Sequence, residues 1–293
     1  MKINIKNLLL IIVMIAFASC TGYSEEELPN FDNVQIVTTH VAGNVYMLEA
    51  TEDVAGNIGA SIGPDGILLI DTQYAQLAEL IKAALEKISK EDIKFIINTH
   101  HHEDHAYGNA ALGKSATIIA HCNARQRLLD MPKEAQPVIT FNDQISIYFN
   151  GEEIKVIHYP NAHTDNDVVI FFTKSNVVHL GDLLNSGISC FPTVDLEAGG
   201  SAMGMLEDIE NLIQIIPEDA KIIPGHYELS DLEGLKVTRD MLAETIQFVR
   251  QKKSAGVSLE QIKEEGLPAK YDSWGTAFTN VETWIENLYY ALP

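Results

Sequence analysis

The chain has 293 residues, with 41 acidic side chains against 20 Lys and Arg and a formal net charge of −21. Such a surface argues against nucleic acid and anionic lipid as partners, because both carry the same sign of charge. The length suits one large domain, or a domain with a C-terminal extension, and the composition is ordinary for a globular protein.

Residues 1–19 have the layout of a secretory signal peptide. A basic stretch, Met1 to Lys6, precedes an apolar run from Leu8 to Phe17 that is too short to span a bilayer as an ordinary helix. Ala18 and Ser19 then lead directly into Cys20, a pattern that resembles a bacterial lipoprotein signal. The mature chain is therefore expected to begin at Cys20 with a lipid attached. It would be an exported lipoprotein, anchored to a membrane and facing the periplasm or the cell surface. Residues 20–33 read as an acidic tether, with Glu25, Glu26 and Glu27 beside Gly22 and Pro29. Beyond Cys20 only Cys122 and Cys190 remain, and two cysteines make no disulfide framework.

From Val34 the pattern is strands: 34–41, 45–48, 58–62 and 66–71, separated by Gly and Asn turns. Leu77, Leu80, Ile81, Ala84, Leu85 and Ile88 carry helical spacing, and Ile93 to Ile97 returns as a buried strand. A strand at 116–120 and a helix from Asn123 to Leu129 follow. Five strands come next, at 138–141, 145–148, 154–158, 168–172 and 177–180. A helix over 203–216 and a short strand at Ile222 and Ile223 close the domain, expected to span 34–230. Residues 231–293 read as a helical C-terminal extension packed on it, broken at Gly256 and at Gly266 to Pro268. Two strand-rich halves, each closed by helices, predict an α/β fold, a four-layer αββα sandwich.

The densest chemistry lies at Asn98 to Asn109, where His100, His102, Asp104 and His105 crowd into one turn after the strand at 93–97. Imidazoles so placed repel when protonated and compete for hydrogen bonds when neutral. A divalent metal removes both costs, since imidazole nitrogen and carboxylate oxygen are good zinc ligands. Three further ligand types each follow a strand: His163 in Ala162-His-Thr164, Asp182 after Gly181, and His226 after Pro224-Gly225. Each alone is more often a surface or capping residue, but the order of all four motifs is specific.

That order, His-x-His-x-Asp-His, then His-Thr, Gly-Asp and Pro-Gly-His, resembles the metallo-β-lactamase-fold hydrolases from about Val34 to the C-terminus. The resemblance implies one metal held by His100, His102 and His163 and a second held by Asp104, His105 and His226, with Asp182 bridging. The two divalent ions would be zinc, with iron or manganese as alternatives. Asp71 matches an aspartate that braces the histidine loop in that family. A bridging hydroxide would attack an ester, amide or lactam, thioester or similar bond of a small-molecule substrate, with Asp104 or Asp182 orienting water and receiving its proton. Class B1 β-lactamases place a cysteine where Asp182 stands, which separates this chain from them. Class B3 enzymes share the first motif but usually lack the bridging aspartate. Glyoxalase II shares all seven ligands but normally carries basic residues near its C-terminus that hold glutathione, and these have no clear match here.

A β-lactamase proper, class B3-like, is one alternative reading, and a non-catalytic metal- or solute-binding lipoprotein is another. A diiron oxidoreductase is a third, but there is no room for its flavin domain. No protein partner is evident. His101 is expected to stand aside from the ligands. His40, His121, His158 and His179 read as structural, Tyr107 and Asn109 as residues that fix the turn, and Trp274, Phe278 and Trp284 as core. The loop from Asn185 to Ser201 is a candidate pocket wall.

Overall fold

A computed structural model describes residues 28–186, 190–275 and 279–292. The expected signal peptide, Cys20, most of the tether and Phe278 lie outside the described residues. The chain divides into two units, Met1–Asn30 and Phe31–Pro293, and every described strand and helix belongs to the second.

Strands β1 (Ile36–Ala42), β2 (Val45–Ala50), β3 (Ile58–Gly63) and β4 (Gly66–Ile70) form an antiparallel run. After helix α1 (Ala78–Glu86), strand β5 (Ile93–Ile97) joins β4 in parallel, and two short helices come next, α2 (Glu103–Ala106) and α3 (Asn109–Leu112). Strand β6 (Thr117–His121), helix α4 (Cys122–Arg127) and strand β7 (Ile139–Phe141) complete a seven-stranded sheet in the order β1 to β7. The second sheet has five strands: β8 (Gln144–Phe149), β9 (Glu152–Tyr159), β10 (Asp167–Phe172), β11 (Val177–His179) and β12 (Lys221–Ile223). Helix α5 (Ala202–Ile215) connects the last two, which pair in parallel. The chain closes with α6 (Leu232–Ser254), α7 (Leu259–Glu265) and α8 (Val281–Ala291).

Strand periodicity explains the layering. Side chains alternate across a strand, so Leu68 and Ile70 of β4 face one way while Ile67 and Leu69 face the other. Leu68 and Ile70 meet Ile97, Val156, Val168 and Ile170 in a core between the sheets. Ile67 and Leu69 pack instead with Ile81, Ala84 and Leu85 of α1. On the outer face of the second sheet, Val169, Val178 and Ile222 pack against Met205, Ile209, Leu242, Ile246, Trp284 and Leu288. Each fully buried Ile or Leu contributes about 1.5–3 kcal/mol by leaving water, and the result is the expected mixed α/β sandwich with helices on both outer faces. The helical C-terminal region shares its apolar cluster with the second sheet. Trp284 is fully buried there, and its indole Nε1 donates to Thr245 Oγ1 at 3.1 Å.

Two features were not expected: the single-turn helices α2 and α3, which are too short for periodicity to reveal. Among the described residues there is no disulfide, and no helix is long and apolar enough to cross a membrane.

Candidate metal centre

The ligand-type residues come from different strands but leave them at a common end. Thr99 to His102 form the loop after β5, and α2 then places Asp104 and His105 in its single turn. His163 stands between β9 and β10, Asp182 follows β11, and His226 follows β12. Asp71, just past β4 with φ +67°, ties this end together. It is fully buried and accepts bonds from Thr99 N and Thr99 Oγ1, both at 2.7 Å, and from His105 Nδ1 at 2.8 Å. Two close approaches require glycine: a Cβ on Gly56 would overlap the His105 ring, and one on Gly225 would overlap Asp182 Oδ1.

His100, His102 and His163 form one group. The tautomer of each is fixed by the acceptor its other nitrogen meets. His102 Nε2 donates to Asp195 Oδ2 at 2.9 Å, and His163 Nδ1 donates to the carbonyl of Thr193 at 2.7 Å. The hydroxyl of Thr99 gives its hydrogen to Asp71, so at 3.0 Å it accepts from His100 Nδ1. The three remaining nitrogens are thus bare lone pairs, and they converge. His102 Nδ1 is 2.8 Å from His163 Nε2 and 3.1 Å from His100 Nε2. Burial pushes His163 down to about 4 and His100 well below the usual imidazole range, so neither relieves the contact by taking a proton at neutral pH. Three neutral imidazole lone pairs aimed at one point suit a cation.

The second group is richer in charge. His105 Nε2 lies 3.1 Å from Asp182 Oδ1 and 3.4 Å from Asp104 Oδ2, while His226 Nε2 lies 3.2 Å from Asp104 Oδ2 and 3.6 Å from Asp182 Oδ2. Though close, His105 Nε2 and Asp182 Oδ1 make no hydrogen bond of proper geometry. His105 donates through Nδ1 to Asp71, so Nε2 is the nitrogen left to face the two carboxylates. Burial alone lowers the pKa of both imidazoles, but the carboxylates outweigh it and hold His226 up at about 9 and His105 well above its ordinary value. Burial acts against ionisation of Asp104 and Asp182 as well, yet the facing histidines keep both carboxyls well below the usual range. Two positive charges are therefore needed here, as protons or as a metal ion. Asp182 also lies 3.6 Å from His163 Nε2, so it faces both groups. All seven residues named from sequence are brought together, and their donors suit two divalent cations.

Three supporting contacts were not foreseen. Asp195 and Thr193 orient His102 and His163, and both sit on the loop that was expected only to wall a pocket. No local pattern marks either residue. Asn166 donates to His101 Nδ1 at 3.1 Å, and the His101 ring lies 4.6 Å from that of His102. Asn109 bonds reciprocally with Asn98 and donates to the carbonyl of Ala135, which fixes the turn after α2. His179 donates to the carbonyl of Asn57, His40 to that of Gly43, and His121 stacks on His158 with centroids 3.6 Å apart. Phe191, from the Asn185 to Ser201 loop, packs against Trp274 and Trp284.

Comparison with known proteins matches residues 41–226 to the Metallo-beta-lactamase superfamily. A hydroxyacylglutathione hydrolase of Prochlorococcus marinus is 30% identical over 179 residues, covering 57% of this chain. The chain spans 65% of the length of that relative. A metallo-beta-lactamase type 2 of Elizabethkingia meningoseptica is 24% identical over 218 residues, covering 73% of this chain and 83% of the relative. Among solved structures, the DIM-1 metallo-beta-lactamase superposes with a TM-score of 0.61 at 20% identity, covering 72% of this chain and 98% of the other.

Proposed function

We propose, from the premise that the chain belongs to the metallo-beta-lactamase superfamily, that it is a metal-dependent hydrolase with a dinuclear centre. Its substrate would be a small molecule bearing an ester, lactam or amide, thioester or similar bond. The observation that carries this reading is the convergence of three imidazole lone pairs beside a second group of two carboxylates and two histidines.

His100, His102 and His163 would hold one cation, and Asp104, His105 and His226 the other, with Asp182 facing both. Divalent ions bound there supply Lewis acidity and lower the pKa of water from 15.7 to about 7. The protein's own part is orientation and proton handling. Asp71, Thr99, Thr193 and Asp195 lock the imidazole tautomers so that lone pairs face inward. Asp104, less buried than Asp182 and ringed by His105 and His226, is the carboxylate best placed to orient an attacking water and take up its proton. Zinc is the ion that this nitrogen-rich donor set favours, with iron or manganese as alternatives.

The test is turnover by the purified domain, loaded with zinc and then with manganese, of a p-nitrophenyl ester, a homoserine lactone, nitrocefin and S-lactoylglutathione. The reading expects metal-dependent hydrolysis of at least one substrate, lost with a chelator and in His102→Ala. Full activity in His102→Ala would overturn it. A lipid on Cys20 and export to a membrane surface belong to the same proposal, and incorporation of labelled palmitate into wild type but not Cys20→Ala is the expected result.

A further inference from the structure

The segments that surround the metal-ligand residues are acidic and carry no Lys or Arg. They are 51–57, 98–109, 160–166, 181–186, 190–201 and 224–231, and they include Glu52, Asp53, Glu103, Glu197 and Glu228 besides the candidate ligands. Their positions follow from backbone contacts. Gly56 N bonds Asp104 O at 3.3 Å and Asn57 N bonds Gly225 O at 2.6 Å, so the 51–57 segment lies directly on the second ligand group. Asn57 Nδ2 also donates to the carbonyl of Tyr227, next to His226 and one residue before Glu228. Asp53 and Glu228 are exposed, and both lie near enough to Glu49 to act on it electrostatically. Asp53 and Asp182 likewise both act on the Tyr227 phenol.

The cations lie elsewhere. Lys94 is at the start of β5, Lys174 follows β10 and precedes β11, and Lys221 opens β12, each at the end of its strand remote from the ligands. Arg127 comes closer. It lies near His101, and both its Nε and Nη2 are committed to Asp165, at 3.3 and 2.9 Å.

Resting on the hydrolase reading, we propose that this centre selects neutral or cationic substrates and discriminates against anionic ones, with Asp53 and Glu228 setting the selectivity. A carboxylate on the substrate would approach segments of like charge that carry no Lys or Arg to receive it. The field of clustered charges alters encounter by roughly tenfold or more at low ionic strength. Salt would erase that difference, because the screening length shrinks from about 30 Å at 0.01 M to about 3 Å at 1 M.

The test reads binding rather than turnover, so a protein that hydrolysed nothing would defeat the functional reading without deciding this one. Calorimetry on the zinc-loaded protein would compare acetohydroxamate, glycine hydroxamate and succinic monohydroxamate, which share the chelating group and differ in charge. The expected result is that the succinic compound binds weakest, by roughly tenfold at 0.01 M ionic strength, with the gap closing at 1 M. In Asp53→Lys/Glu228→Lys the gap should shrink or reverse at unchanged zinc content. Equal or tighter binding of the succinic compound to the wild type at low salt overturns the proposal. A gap that the double variant leaves unmoved overturns the assignment to these two residues.

Discussion

His102 Nε2 donates to the Asp195 carboxylate at 2.9 Å, a contact made across 93 residues of chain. That bond leaves Nδ1 bare and turned toward His100 and His163. Contact with His102 holds the Asp195 carboxyl well below the usual range, so the pair stays charge-assisted at neutral pH. Asp195→Ala should weaken zinc at the three-histidine group about 10–100-fold, the usual cost of losing such a partner. Competition against a chromophoric chelator measures it. Asp195→Asn, which keeps an acceptor oxygen, should fall between the two.

Metal uptake should release protons at one group only. In the metal-free protein His226, held near 9, and His105, held well above its ordinary value, carry an extra proton at pH 7, whereas His163 at about 4 and His100 below the usual range do not. Affinity at the Asp104 group should therefore rise with pH up to about 9, and affinity at the three-histidine group should stay flat around neutrality. Calorimetry in buffers of different ionisation enthalpy counts the protons. For the metal-free fold the sign is opposite. The raised His226 pKa contributes stability that is full below its unfolded value and lost as pH rises through about 9.

Gly225→Ala should damage the centre from behind. The added Cβ overlaps Asp182 Oδ1, so the carboxylate must move away from His105 and His226. Overpacking of this kind costs about 1–3 kcal/mol. Elemental analysis should show the metals reduced in the variant, and circular dichroism should show the fold retained at 25 °C.

Asp208 on α5 has a buried carboxylate oxygen with no hydrogen-bond partner among the described residues. Burial, aided by Glu207, raises its pKa to about 6. Its ionised form is thus disfavoured in the fold, a cost absent below its unfolded pKa, building as pH rises toward 6 and complete above it. Asp208→Asn should leave thermal stability at pH 4 unchanged and raise it at pH 8 by about 1 kcal/mol, a figure reduced for the group's partial exposure.

Much of the fold was legible locally. Strands such as 93–97 and 168–172 are short apolar runs bounded by turns, and α1 and α5 show clear helical spacing. The ligand motifs were legible because cation chemistry demands unusual residues in unusual density, as at His100 to His105. The helices α2 and α3 were not, because four residues cannot show a period of 3.6. Asp195 was not, because one aspartate in a polar loop looks like any other until the chain brings it to His102.

By itself, the sequence determined which side chains can hold metal and that each leaves a strand, because those facts depend on residue type and near neighbours. Only the tertiary structure decided which nitrogen of His100, His102 and His163 is bare. That choice is made by an acceptor from a distant segment, Asp195, Thr193 or Asp71, since a neutral imidazole has one hydrogen and gives it to whichever oxygen the fold presents. The tertiary structure likewise brought the segments that carry exposed Asp53 and Glu228 together beside the Asp104 group. Like charges so far apart in sequence have no influence on one another until folding brings them within a screening length.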